Sequence, residues 1–534
     1  MSSLPRKQLI LTMAGVMLAM FLSSLDQTVV GTAMPRIISD LGGFAHYTWI
    51  TTAYIITSAV TIPITGKLID MFGRKPFYIG GLVIFVLASV LCGLAASMLQ
   101  IIIFRGIQGI GAGVMMAIAF TVIGDLFPPA ERGKYQGYMS SMFGLSSIIG
   151  PPLGGFITDA FSWHWVFFIN VPLGALVIIL LLLFFPHIKP DNLKHKVDYP
   201  GLATLVLCVV PAMLALSWGG AEYPWRSPEI IGLFIFAAAM LMLFIFIESR
   251  SPEPIIPLSL FKNGIVTMSE VVIFITGMGM FGGIIFIPLF FQGVMGASAA
   301  QSGSFLTPMM LGIVFGGFIS GQLLARAGGH YRLQGTVGIA IMAFGLFLLS
   351  RMTGETSSGT AVFNIVVTGF GLGITMPVYV IAIQNAVPYQ MLGVATSSGA
   401  FVRSLGGSVG LAVFGSIMNN RFGVELATRV PDAVKTAIGP EQLRALANNP
   451  EAMFNPEAQA RLQSLIEGLG PQGDTLARQT ITALRQSLEA AMSEVFAIAV
   501  IVVLVGLIVS LFVKEIPLRK QYVMTNLPPE PREK

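Results

Sequence analysis

The sequence predicts an all-α integral membrane protein of fourteen transmembrane helices, and three observations carry that prediction. Only 11% of its 534 residues are charged, against about 25% in soluble globular chains. With 54% hydrophobic residues and a mean hydropathy of +0.79, too few charges remain to cover a water-exposed surface. A soluble multidomain enzyme, a disordered protein and a nucleic-acid binder are excluded on that ground. The apolar residues also gather in runs of about 20, the length a helix needs to cross a bilayer. Finally, runs of about 10 alternating residues, the mark of a membrane barrel, are absent. In hydrocarbon the spans must then be helices, because unpaired backbone groups are too costly there.

Taken in order, the runs lie near 9–34, 46–65, 77–97, 98–123, 135–158, 164–186, 200–218 and 229–248. Six more follow near 265–291, 302–325, 334–351, 361–386, 393–418 and 494–513. The first comes directly after Arg6 and Lys7 without a small-residue cleavage site. It is expected to stay as a span that also targets the chain. The formal charge is +5. With the N-terminus inside, the inner loops and ends hold most of the cations, among them Lys67, Arg74, Lys75, Arg132, Lys134, Lys189, Lys194, Arg250, Arg519 and Lys520. The short outer loops hold only Arg36, Arg226 and Arg351. This bias predicts that both termini are cytoplasmic, in a cell membrane. Cys92 and Cys208 both lie inside apolar runs, so a disulfide is not expected, and no metal-ligand spacing appears.

One large hydrophilic piece, 419–493, falls outside the membrane. Stretches such as DTLARQTITALRQSLEAAM carry apolar residues at helical spacing. They predict short amphipathic helices, the last running into the final span. A solvated cap and a site for lipid cargo or an envelope partner both fit. An internal repeat organises the rest. GKLIDMFGRKP at 66–76 aligns with GQLLARAGGHY at 321–331, and RGIQGIGAG at 105–113 with IVVTGFGLG at 365–373. The repeat predicts a six-helix bundle over 1–190, a two-helix insertion over 191–262 and a second six-helix bundle over 263–534. Such duplicated bundles are transporter architecture, with substrate held near the midplane between rocking halves. Ionisable residues are unevenly shared. Asp70, Arg105 and Asp125 in the first half align with Ala325, Ile365 and Asn385 in the second.

A charge inside a span is expensive and generally faces a cavity and works. Asp26 and Arg105 lie about eight and seven residues from the outer ends of spans one and four, roughly 12 Å deep at 1.5 Å per residue. Apolar surroundings favour a neutral carboxyl and a nearby cation favours the charged form, so an acid between those pulls can exchange protons. A structural ion pair locking two helices is the competing reading. Gln108, Glu270, Arg403, Met20 and Met115 are further cavity candidates. For Glu270, snorkelling to the inner interface competes with that role; for Arg403, structural pairing does. The methionines offer an adaptable apolar lining or simply fill gaps. Where span two exits, Gly66 and Gly73 permit a tight turn, while Asp70 is unexplained by anchoring of Lys67 and Lys75. In span five, Gly144, Gly150, Pro151, Pro152, Gly154 and Gly155 combine close packing with a kink. No P-loop, nucleophile–base pair or metal motif is seen.

These residues resemble a known family. GKLIDMFGRKP is similar to the loop between spans two and three of the major facilitator superfamily, and FRGIQGIGAG to its span-four motif. GLSSIIGPPLGG at 144–155 resembles its antiporter motif. LDQTVVGTAMPRI at 25–37 resembles the span-one motif of the fourteen-span drug/proton antiporters, the EmrB/QacA type. The resemblance implies the major facilitator fold, with spans one and four as neighbours and proton coupling at Asp26 and Arg105. It implies a conformational latch in which Arg74 pairs with Asp125 and Asp70 faces a helix terminus of the second half. It also implies export rather than import.

The expected function is therefore secondary active export rather than catalysis. Lipophilic small molecules, cations among them, would be moved by the proton gradient with no cofactor or metal. An amphiphilic lipid as cargo, handled by 419–493, is the alternative within transport, and a non-transporting sensor or scaffold is the alternative outside it. The expected partners are substrate, protons and membrane lipid, with no nucleic acid.

Overall fold

The computed structural model describes residues 5–41, 48–186, 196–220, 222–297, 305–326, 330–438 and 473–518, which form helices and connecting turns with no strand among them. The first half supplies α1 (Arg6–Leu41), α2 (Thr48–Phe72), α3 (Arg74–Gly93), α4 (Met98–Leu126), α5 (Pro129–Ala160) and α6 (His164–Phe184, broken for one residue at Ile169). Next come α7 (Tyr199–Trp218) and α8 (Pro228–Glu248). They are followed by α9 (Gly264–Gly293), α10 (Leu306–Arg326), α11 (Tyr331–Ser350), α12 (Ser358–Ala386), α13 (Leu392–Arg429) and α14 (Gly473–Leu511). All but α5 are long and apolar enough to cross a membrane, thirteen in number among the described residues. The expected fifth span lies inside α5, a helix of 32 residues. Its glycines and serines, with Glu131, Arg132, Lys134 and Gln136, dilute its hydropathy, and it packs along α1 and α10.

Helix starts follow from the sequence. Ser97, Ser227 and Ser357 each accept a hydrogen bond from the backbone N–H three residues on, opening α4, α8 and α12. The turn from α2 to α3 is a single residue, Gly73, at φ 92°. A side chain at that φ would be strained. Outside the expected core span, α13 continues unbroken to Arg429 and α14 begins at Gly473. The amphipathic stretch after 473 thus joins the last span as predicted, whereas α13 runs eleven residues past the expected span end at 418. Arg421 pairs with Glu425 of its own helix (2.8 Å) and ties α13 to α14 through Glu494 (3.0 Å). Residues 439–472, the middle of the expected outer segment, lie outside the described residues, as do Lys189, Lys194, Arg519 and Lys520.

Apolar cores fill the spaces between helices. One runs through α9–α14, two lie among α1–α6, and a fourth joins Ile56, Val60 and Ala117 to Leu205, Val209, Phe244, Ile255 and Phe401. That last cluster seats α7 and α8 across α2 and α13. The outward faces carry Leu183, Ile235, Met242, Phe246, Phe344 and Ile501, all exposed, as lipid-facing positions should be.

Glycines set the closest approaches. On α4, side chains at Gly109 and Gly113 would strike the α2 backbone and one at Gly111 the α3 backbone. On α12, Gly369 and Gly373 meet α10 and Gly371 meets α11 in the same way.

Candidate functional site

The site expected around Asp26 is a buried network drawn from five helices. Asp26 on α1 and Arg105 on α4 are each 1% exposed. Arg105 Nη1 donates to Asp26 Oδ2 at 2.5 Å, and Gln108 Nε2 donates to Oδ1 at 2.9 Å. Arg105 Nη1 also donates to Gln108 Oε1 at 2.7 Å, so the two α4 residues, one turn apart, brace one another. Asn170 on α6 supplies a third donor to Asp26, 2.8 Å from Oδ1, and donates to Ser89 Oγ on α3 at 2.9 Å. The Arg105 guanidinium lies over the Tyr54 ring of α2, 4.2 Å from its centroid, a cation–π contact that holds a desolvated cation in place. Sequence reasoning selected Asp26, Arg105 and Gln108 but missed Asn170, an amide in the otherwise apolar run FFINVPLGALVIIL.

At the turn between α2 and α3 a second polar cluster crosses from one half to the other. Arg74 Nε donates to Asp125 Oδ2 at 2.8 Å, and its Nη2 donates to Asp70 Oδ1 at 2.8 Å. Asp70 in turn accepts from the backbone N–H groups of Gly393 (3.2 Å) and Val394 (2.9 Å), at the first turn of α13. A helix N-terminus offers unpaired donors and a partial positive charge, so a carboxylate is held there. Gly66 lets α2 close on α13, since a Cβ there would overlap Ser397 and meet the Gly393 carbonyl. Arg132 was grouped with the loop cations by its position, yet it is 1% exposed. It donates to the carbonyls of Phe127 (3.0 Å) and Gly124 (2.8 Å) and to Gln384 Oε1 of α12 at 3.4 Å. Gln136 reaches the same Gln384 oxygen at 3.3 Å. This second crossing is absent from the sequence reading; a Gln in the last turns of α12 was its only signal.

The remaining candidates divide. In α5, Gly144 abuts Val314 of α10, and Gly150 and Gly154 abut Thr28, Thr32 and Val29 of α1. A Cβ on Gly155 would meet nothing, so that glycine has no packing duty here. Pro151 is partly exposed. Met20 and Met115 are buried within the apolar core of the first half. Glu270 does not snorkel: it is 4% exposed, enclosed by α9 and α13. Arg403 has a buried Nη1 without a hydrogen-bond partner and makes no ion pair among the described residues. No group of three or more metal-ligating side chains occurs among the described residues.

Known proteins match this chain over most of its length. A family model described as Major Facilitator Superfamily matches residues 16–411. Multidrug transporter protein MdtP of Bacillus subtilis (strain 168) is 40% identical over 510 residues, covering 95% of this chain and 93% of that protein. Multidrug resistance protein 3 of the same organism is 38% identical over 514 residues, 96% of each chain. Among solved structures, the human organic anion transporter MFSD10 superposes with a TM-score of 0.60, covering 94% of this chain and all of that one. The proton:xylose symporter XylE gives 0.53, covering 93% and 95%. Both are 13% identical and speak to the fold alone.

Proposed function

The chain belongs to the major facilitator superfamily, and on that premise we propose that it is a proton-driven exporter of lipophilic small molecules, cations among them. It would work across the cell membrane by alternating access, with both termini cytoplasmic and the bundles 1–190 and 263–534 rocking about the substrate. The names of its relatives, multidrug transporters at about two-fifths identity, support efflux of varied compounds. The observation that carries the coupling is the Asp26 network. A carboxylate with three donors, sealed from water and set against a guanidinium, is stable only while charged and paired. Protonating it removes the attraction to Arg105 and frees α1 from α4 and α6. A proton entering from one side therefore changes how three helices of the first half are held, and substrate competes for the loosened site.

The cluster at the α2–α3 turn serves as the latch. Asp70 on the first turn of α13, with Arg74 and Asp125 behind it, holds the halves together at the cytoplasmic end. Arg132 and Gln384 fasten the same end from the other side. When the bundles rock, these contacts break and the inner side opens. The energy source is the proton gradient, with no cofactor.

The test is uptake of a fluorescent lipophilic cation into everted membrane vesicles energised by a proton gradient, comparing wild type with Asp26→Asn at equal expression. Gradient-driven uptake that a protonophore abolishes, and that Asp26→Asn loses, is the expected result. Undiminished uptake by Asp26→Asn would move the coupling elsewhere. No uptake by the wild type would overturn the choice of substrate and turn attention to lipid cargo.

A further inference from the structure

The second half contains a buried carboxyl in surroundings opposite to those of Asp26. Glu270 lies in the second turn of α9 and is 4% exposed, yet neither of its oxygens has a hydrogen-bond partner. The polar groups that act on it are the Ser398 hydroxyl and the Arg403 guanidinium, both on α13, and no ion pair joins it to Arg403. Arg403 Nη1 is itself buried without a partner, and Glu270 is the charged group that acts on it. Two groups that would satisfy one another are thus held apart on adjacent helices.

The distance between them is short. A Cβ on Gly399 would lie 3.9 Å from Glu270 Oε1. Arg403 is four residues further along α13, about 6 Å of helix, within the span of a guanidinium stem changing rotamer. The helices meet through glycines: Gly277 lies on the Arg403 carbonyl, Gly406 on that of Phe274 and Gly410 on Met278. These small residues bring the two helices close together, with Phe281 seated on Gly407 and Phe414 on Gly282.

Among the described residues, no other charge competes for Glu270. Neither α9 nor α12 carries another charged residue, and α14 has none from 495 to 511. Lys262, on the turn before α9, is exposed about two helical turns away, and Arg326 is exposed at the end of α10. Lys514 and Glu515 sit beside Tyr331 and His330 of α11.

An ionised carboxylate with no charged partner in contact, shut away from water, is heavily penalised, while a neutral carboxyl escapes most of that penalty. We propose that Glu270 is a second proton-binding site, loaded in this conformation and emptied when Arg403 swings onto it. In that step the O–H bond breaks, its electron pair stays on the carboxylate and the proton passes to water at the opened face. The guanidinium then supplies the donors and the charge that ionised Glu270 lacks. The site rests on the reading of the chain as a proton-driven transporter, and it gives the second half a proton carrier of its own beside Asp26.

Infrared spectra of the purified full-length chain in detergent, recorded as pH is stepped upward, test this without transport. The expected result is a carboxylic-acid carbonyl band at neutral pH that Glu270→Gln removes and Asp26→Asn keeps. In Arg403→Gln the band should survive the alkaline step that removes it from the wild type. A wild type without the band, a band unchanged in Glu270→Gln, or Arg403→Gln titrating like the wild type would each overturn the proposal. Should Glu270→Gln fail to fold, the wild type and Arg403→Gln still decide. Transport without the band sinks this site alone. A band in a chain that transports nothing leaves it standing and sinks the exporter reading.

Discussion

Asp26 accepts from Arg105, Gln108 and Asn170, donors on two other helices, and none of its lone pairs on Oδ1 or Oδ2 faces water. The three donors are not equal in legibility. Charged residues inside apolar runs announce themselves because insertion opposes them, so Asp26 and Arg105 stand out at once. Gln108 follows from its place one turn beyond Arg105. An amide costs far less to bury than a charge, and Asn170 sits near a span end where polar residues are common, so nothing in the sequence singles it out. Arg132 is hidden for the opposite reason. Its position between the fourth and fifth apolar runs reads as a positive-inside anchor, and only the fold, which puts it in the first turn of α5, brings the carbonyls of Gly124 and Phe127 onto it. Asn170 yields a prediction at this scale. Asn170→Ala removes a hydrogen bond to a charged group, worth about 1.5–3 kcal/mol, and also leaves Ser89 without that donor. Thermal unfolding of the purified variant should show a loss in that range, with gradient-driven uptake reduced but present. Stability equal to wild type would mean that the amide is incidental to the network.

Among the elements, α2 and α13 are joined by a carboxylate laid on a helix N-terminus, and both partners are set by local sequence. Gly73 allows a one-residue turn, which brings Arg74 back beside Asp70 and Asp125. Pro388 and the short turn at Tyr389–Met391 leave the first N–H groups of α13 unpaired at the same level. Asp70→Asn keeps the shape but gives up the charge that the helix terminus attracts, a contribution of up to about 2 kcal/mol in a buried setting. The predicted outcome is a shift toward the conformation open at this end. Spin labels at the exposed Phe72 and Gln390, one on each side of the seam, should show a larger share of long distances in the variant. An unchanged distance distribution would remove Asp70 from the latch. Element boundaries were less readable than element positions. A helix that runs on past the membrane, as α13 and α14 do, loses its apolar signal while keeping its backbone hydrogen bonds. Hydropathy therefore ends each span early. It also understates α5, whose neighbours on both sides are protein.

Across the whole molecule the repeat seen in the sequence reappears as packing. Gly109, Gly111 and Gly113 of α4 correspond to Gly369, Gly371 and Gly373 of α12, and each set admits two neighbouring helices against its backbone. The seams between halves are related in the same way. Gly66 of α2 closes on Gly393 of α13, while Gly321 of α10 closes on Gly133 of α5, and the repeat pairs Gly66 with Gly321 and Gly133 with Gly393. Only the first seam carries a carboxylate, because the counterpart of Asp70 in α10 is Ala325. One seam is thus held by charge and by close packing, the other by packing and by the Arg132–Gln384 contact. That difference predicts different responses to bulk. Gly321→Val would drive a branched side chain into the Gly133 carbonyl, at the seam where Ala325 stands in place of Asp70. Gly66→Val meets Ser397 but leaves Asp70 bound to α13. Both should weaken closure at this end, and Gly321→Val should weaken it more. The same spin-label pair reads this: Gly321→Val is expected to raise the long-distance population above that of Gly66→Val, and adding Asp70→Asn to Gly66→Val should erase the gap. Equal populations in the two single variants would mean that the carboxylate adds nothing to the seam it occupies. The latch would then be a matter of glycine packing alone.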